Sequence, residues 1–165
     1  MNAPTPSPRE RTDTLQAPEL DATDRALITL LADDGRASVA ALAQSVHISR
    51  GHAHQRLNRL RDAGIITGFR VTLDPAAIGL RSSAYVTLKL RQHSWRSFRA
   101  ALRRIPEVHH VALVGGAFDV ILLVRAADNA ALRGVVFDVL QAMPEVVDTQ
   151  THLIFEDVET GFSEG

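Results

Sequence analysis

Residues 38–68, SVAALAQSVHISRGHAHQRLNRLRDAGIITG, decide the fold. Ser38 can accept a backbone N–H at a helix start, and Val39 to Gln44 behind it predicts a short apolar helix. Ser45-Val46-His47-Ile48 makes a tight connection to a further cap, Ser49. From there a longer helix runs to about Ala63 and stops at Gly64, a residue suited to the left-handed position after a helix. Two helices joined by a tight turn predict a helix-turn-helix.

Outward from this stretch, Asp21 is a good N-cap, with Asp24 in the first turn. Leu27, Leu30 and Leu31 recur at helical spacing until Asp33-Asp34-Gly35 ends a first helix over about 22–33. On the other side, Ile65 to Leu73 reads as two short strands with Gly68 near their turn, punctuated by Asp74-Pro75. Three helices and a ribbon in about 55 residues make a winged helix-turn-helix.

The second half has a different rhythm. Val86, Leu88 and Leu90 alternate with Tyr85, Thr87 and Lys89 as in a half-buried strand, whereas Trp95, Phe98, Leu102 and Ile105 follow helical spacing. Val111 to Val114 and Val120 to Val124 are short β-rich runs joined by Gly115-Gly116-Ala117-Phe118-Asp119, a hairpin connection calling for positive φ. A helix over about Asn129 to Gln141 and a strand over about Val147 to Phe155 complete the order βαββαβ. A shift of 38 residues carries Leu102, Ile105, Pro106, Glu107 and Val108 onto Leu140, Met143, Pro144, Glu145 and Val146. Each half is then one strand-helix-strand unit, as a ferredoxin-like split βαβ fold requires.

The fold class is therefore α+β, an N-terminal winged helix-turn-helix joined to a C-terminal ferredoxin-like domain. The expected organisation is a disordered arm over 1–19, which holds four of the seven prolines, domains over 20–77 and 78–160, and a tail over 161–165. The start MNAPTPSPRERTDT has no apolar stretch after a basic start, which points to a cytoplasmic chain, and no apolar run is long enough to span a membrane. The absence of cysteine excludes disulfides, thiolate zinc sites and a cysteine nucleophile.

Net charge is −1, so electrostatic partners must be read from local clusters. Between Ser49 and Ala63, Arg50, Arg56, Arg59 and Arg61 stand against Asp62, a local +3 of the kind a phosphate backbone attracts. At 100° per residue, Ala53, Leu57 and Leu60 share one face of this helix, with Gly51, His52, Gln55, Asn58 and Arg59 opposite. The N-terminal part of such a helix reaches base edges, so Gly51, His52 and Gln55 are the candidate base readers, Gly51 permitting close backbone approach. Arg50, Arg56, Arg59 and Arg70 are candidate phosphate contacts; with Ser38 and Ser49 they complete the DNA-binding set. Arg9 and Arg11 in the arm are candidates for minor-groove contacts.

Other chemistry is poorly supported. His52 and His54 point about 200° apart and His109 and His110 face opposite sides of a strand, so neither pair shares a metal. Gly115-Gly116 lacks the spacing of a phosphate cradle. There is no G-x-S-x-G and no H-E-x-x-H. No metal, no cofactor and no enzymatic activity is expected.

Leu20-Asp21-x-x-Asp24, Asp34-Gly35-Arg36-x-Ser38, Leu42-Ala43, Ile48-Ser49, Arg56-x-x-x-Leu60, Gly64-Ile65-Ile66-x-Gly68-Phe69 and Leu73-Asp74-Pro75-x-x-x-Gly79 resemble the Lrp/AsnC feast/famine transcription regulators. Pro106-Glu107-Val108, Gly116-x-Phe118-Asp119 and Pro144-Glu145-Val146 resemble that family's ferredoxin-like regulatory domain, so the likeness covers about residues 20–158.

The resemblance implies a sequence-specific regulator of double-stranded DNA that dimerises through its C-terminal sheet, assembles further, often to octamers, and binds an amino acid or related small molecule. It assigns the effector to the loop Gly115, Gly116, Ala117, Phe118 and Asp119, with Thr149 and Thr151 from the last strand. Asp119 can equally be a turn residue capping backbone N–H groups. Many members have an acidic residue where this chain has Ala117 and an aromatic where it has Val120. That departure leaves open an apolar ligand, a different one, or none. Two alternatives share the architecture. One is an enzyme similar to sirohaem decarboxylases, acting through His109, His110 and His152; the other is an oligomer that organises DNA without sensing a ligand.

Overall fold

Asp21 starts the first helix, α1 (Ala22–Asp33), through a reciprocal capping box. Its Oδ1 accepts from Asp24 N at 2.8 Å, and Asp24 Oδ2 accepts from Asp21 N at 3.3 Å. The second helix, α2 (Val39–Ser45), is capped by Ser38, whose Oγ accepts from Ala41 N at 3.1 Å. The third, α3 (Arg50–Asp62), is capped by Ser49. Leu27, Leu42, Ala43, Ala53 and Leu60 form the buried interior of these three helices. The computed structural model describes residues 19–157, which divide into one unit ending at Val71 and another beginning at Thr72.

α2 and α3 end alike. Ile48 N donates to Ala43 O and His47 N to Gln44 O; Ile65 N donates to Leu60 O and Gly64 N to Arg61 O. Both are Schellman terminations, which require a left-handed residue just past the cap. Gly64 meets that requirement at φ +69°, whereas His47 adopts φ +55° with a side chain in place. The tight helix-turn-helix connection thus rests on a histidine in a glycine conformation.

The two short strands expected over Ile65–Leu73 do not form, and that stretch contains no strand among the described residues. A two-stranded hairpin of four-residue arms is marginal alone, and here several of its apolar side chains stay largely exposed. Val71 is 82% exposed, and Phe69 and Leu73 are each 56% exposed. Asp74-Pro75 acts as the expected punctuation, with Asp74 Oδ1 accepting from Ala76 N at 2.9 Å.

The second unit runs β1 (Ser82–Leu90), α4 (Trp95–Leu102), β2 (Val108–Leu113), β3 (Val120–Ala126), α5 (Asn129–Gly134), a π-helix (Val135–Leu140) and β4 (Val146–Ile154). The strands lie in the order β2-β3-β1-β4, each pair antiparallel, the arrangement a βαββαβ chain needs to bring its two halves together. Ala84, Val86 and Leu88 of β1 and Val120, Leu122 and Val124 of β3 bury one sheet face against Phe98, Leu102, Leu132, Val136 and Leu140. The 38-residue echo is structural. Ile105 N donates to Leu102 O and Val108 N to Ile105 O, and Met143 N to Leu140 O and Val146 N to Met143 O repeat that turn.

Two local departures matter. The helix expected over Asn129 to Gln141 is α-helical only to Gly134 and then widens into the π-helix. Val135, Val136 and Leu140 thereby all face the core while Phe137 and Val139 point outward. His109 sits in a bulge between Val108 and His110, so the expected simple alternation of His109 and His110 is broken there. No helix among the described residues is long and apolar enough to cross a membrane. The arm up to residue 18, with Arg9 and Arg11, and the tail from 161 lie outside the described residues.

Candidate functional site

Ser49 sets the start of α3: its Oγ accepts from His52 N at 3.2 Å, which satisfies one of the unpaired N–H groups of the first turn. Ala53 and Leu60 are buried, while Gly51, His52, Gln55 and Asn58 are exposed, as the helical projection requires. A Cβ added at Gly51 would meet nothing within 4 Å, so the backbone there is open to approach. Arg50 is exposed and forms no ion pair among the described residues. Arg70 is also exposed, on the extended segment after Gly68 and not on a paired ribbon.

Arg56 and Arg59, expected at phosphates, are engaged inside the free chain. Arg56 Nη1 donates to Asp21 Oδ2 at 2.6 Å and to Asp24 Oδ1 at 2.9 Å, and Arg59 Nη2 donates to Asp24 Oδ2. Asp24 is completely buried, so its carboxylate depends on these partners. The backbone N–H of Asp24, followed by the Arg56 guanidinium, holds the Asp21 carboxyl below the usual aspartate range. The hydrogen bonds to Asp21 and Asp24 in turn raise Arg56 above the usual arginine value. Asp24 carries more than the helix-start role its sequence position suggests. Its signal was the pair Asp21-x-x-Asp24 together with two arginines three apart on α3. Beside this cluster, His52, Gln55, Arg56 and Arg59 line an open recess of about 300 Å³.

In the second unit, Gly115, Gly116 and Ala117 are exposed while Phe118 and Asp119 are half-buried. Gly116 turns the loop at φ +134°. The loop is closed by Val114 N donating to Asp119 O at 2.8 Å and anchored by Asp119 N donating to Leu88 O at 2.9 Å. Asp119 Oδ2 accepts from Leu90 N at 2.8 Å, so the carboxylate holds the end of β1. Lys89 Nζ lies 3.5 Å from Ala117 O. Val120 is fully buried in the core.

Thr149 and Thr151 of β4 stand opposite Leu88 and Val86, and so on the helix-covered side of the sheet. Thr149 Oγ1 accepts from Gln141 Nε2 at 2.7 Å. Val120 and Thr149 flank Leu88 from opposite sides, two strand spacings or about 10 Å apart. Within one chain, the loop and the two threonines therefore do not converge on one point.

On the open sheet face, His110, Leu123, Tyr85 and His152 form one row across β2, β3, β1 and β4. The two histidines end that row about 14 Å apart, too far to share a metal. Among the described residues no group of three or more His, Cys, Asp or Glu could hold a metal ion.

A family model described as the Lrp/AsnC ligand binding domain matches residues 83–162, and one described as winged helix-turn-helix DNA-binding matches residues 20–67. The chain is 40% identical over 145 residues to the HTH-type transcriptional regulator AldR of Mycolicibacterium smegmatis, covering 86% of this chain and 85% of that one. It is 36% identical over 147 residues to the proline dehydrogenase transcriptional activator of Rhizobium radiobacter, covering 87% and 94%. Among solved structures, a transcriptional regulator from Neisseria meningitidis in complex with L-Met superposes with a TM-score of 0.83 at 27% identity, covering 89% of this chain and 97% of that one.

Proposed function

The chain belongs to the Lrp/AsnC family of transcription regulators, and on that premise we propose how it divides its work. Residues 20–77 read double-stranded DNA through α3, with Gly51, His52 and Gln55 at base edges, Arg50 and Arg70 at phosphates, and Ser38 and Ser49 holding the two helix starts. Residues 78–160 bind an amino acid or related small molecule at the 115–119 loop, with Thr149 and Thr151 contributing from a neighbouring copy. The protein works in the cytoplasm on the DNA it controls.

The observation that carries the reading is the outward face of α3, which is capped, rich in donors and free of large apolar side chains. Gln can pair with adenine through two hydrogen bonds, and a histidine one turn earlier extends the same edge. The L-Met bound by the Neisseria meningitidis regulator, together with Ala117 in this chain's loop, favours an apolar amino acid as effector.

The open sheet face supports assembly. Tyr85 is 43% exposed on the open face, beside half-buried Ile121 and Leu123, and a second copy would cover this strip. A symmetric dimer presents two recognition helices to half-sites about 34 Å apart or a multiple of that distance. An effector that binds one assembly state better than another shifts how many helices engage one DNA segment.

Fluorescence anisotropy on the DNA upstream of the protein's own gene, against an unrelated duplex at two salt concentrations, tests the DNA reading. Selective, salt-sensitive binding is expected. Equal binding to both duplexes would overturn it. Titration with apolar amino acids, followed by sedimentation, then separates a sensor from an oligomer that only organises DNA.

A further inference from the structure

The α3 basic cluster is only half available to a partner. Arg56 and Arg59 lie three residues apart on the flank of α3 between its buried and exposed faces, where they meet Asp21 and Asp24 of α1. Two guanidiniums and two carboxylates sum to zero, leaving Arg50 and Arg61 against Asp62 on the rest of the helix. Asp24 is completely buried, and releasing either arginine would leave its charge undercompensated. His52 and Gln55 project beside the clamped pair, and all four side chains border the recess of about 300 Å³.

We propose that Asp24, with Asp21, is a specificity-determining positioning residue that holds Arg56 and Arg59 against α1, off the phosphates, so that the recess stays open for base edges met by His52 and Gln55. Phosphate contacts raise affinity for every sequence alike, whereas base contacts discriminate. Restraining two arginines therefore lowers non-specific binding while keeping the guanidiniums as walls of the reading surface. The proposal rests on α3 being the DNA-reading helix.

The test uses the full chain with Asp24→Asn and, separately, Asp21→Asn. Each is titrated by anisotropy on the upstream DNA and on an unrelated duplex across a salt series. Each phosphate contact contributes a slope of about −0.9 to log K against log salt. Asp24→Asn, which removes the charge shared by both arginines, is expected to steepen the slope by up to about 1.8 and to lower the ratio of specific to non-specific affinity. Asp21→Asn removes one of the two carboxylate partners of Arg56 and should move both quantities in the same direction by less. Asparagine is as good an N-cap as aspartate, so this variant keeps the start of α1 and decides the question if Asp24→Asn fails to fold. An unchanged or shallower slope with an unchanged ratio overturns the proposal, because a merely structural role for the acids would lower stability without moving either. A wild-type chain that does not discriminate between the duplexes overturns the underlying reading of α3 as well.

Discussion

Leu90 N–H donates to Asp119 Oδ2 at 2.8 Å, tying the loop between β2 and β3 to the end of β1 across 29 residues of sequence. The main chain of Asp119 also donates to Leu88 O, so backbone and side chain together close this end of the sheet. Asp119→Ala is expected to cost about 1–2 kcal/mol, since it leaves the Leu90 N–H without its charged acceptor. Urea unfolding measures the loss. Calorimetric titration of the same variant with an apolar amino acid addresses the ligand role: unchanged affinity would mean that the carboxylate acts only on β1.

Ser49→Ala removes the acceptor for His52 N at the start of the recognition helix. A loss of about 1 kcal/mol in stability is expected. DNA affinity should fall as well, because the residues nearest the cap are the proposed base readers. Full retention of both properties would show that another group satisfies the first turn.

His47→Gly should stabilise the protein. His47 sits at φ +55°, where a Cβ costs about 1–2 kcal/mol, against about 0.5–1 kcal/mol of extra chain entropy that glycine loses on folding. The expected net gain is roughly 0.5–1 kcal/mol, visible as a higher urea midpoint at unchanged slope. A lower midpoint would mean that the exposed imidazole makes a contact worth more than the strain.

Acid should weaken the clamp between α1 and α3. The folded-state pKa of Asp21 lies below its ordinary value, so its contribution is present above the unfolded value of about 4 and is lost as pH falls through the folded one. Asp21→Asn retains the cap and lacks the titration. The stability difference between wild type and this variant should therefore shrink as pH drops below about 4. A difference independent of pH would exclude the Asp21 carboxylate as its source.

Phe98→Ala empties the largest fully buried site in the second unit. A cost of about 3–5 kcal/mol is expected, from lost transfer energy and an incompletely collapsed cavity. Thermal unfolding followed through the single Trp95, whose ring centroid lies 6.4 Å from that of Phe98, reports it directly. A change below about 1 kcal/mol would mean that the cavity refills from neighbouring side chains.

The order of elements was legible because it rests on short-range rules. The capping residues Asp21, Ser38 and Ser49 act on N–H groups three residues away, and periods of 3.6 and 2 separate α3 and α4 from β1 and β3. The echo linking Leu102 and Ile105 to Leu140 and Met143 marks the two halves of the sheet without reference to their pairing. Alternation over Ile65–Leu73 signals strands without naming their partner, and none forms there. The π-helix was hidden because Val135, Val136 and Leu140 satisfy an α-helical pattern nearly as well as the wider one.

By itself, the sequence determined the two-part architecture, the exposed donor face of α3 and the glycine turn at Gly116, all consequences of local geometry. Tertiary structure alone decided what the charged groups do. Arg56 meets Asp24 across 32 residues and Arg59 meets it across 35, while Thr149 turns toward Gln141 on the helix-covered side. Composition counts charges, but a Coulombic interaction or hydrogen bond depends on separation in space, and only the folded chain sets that separation.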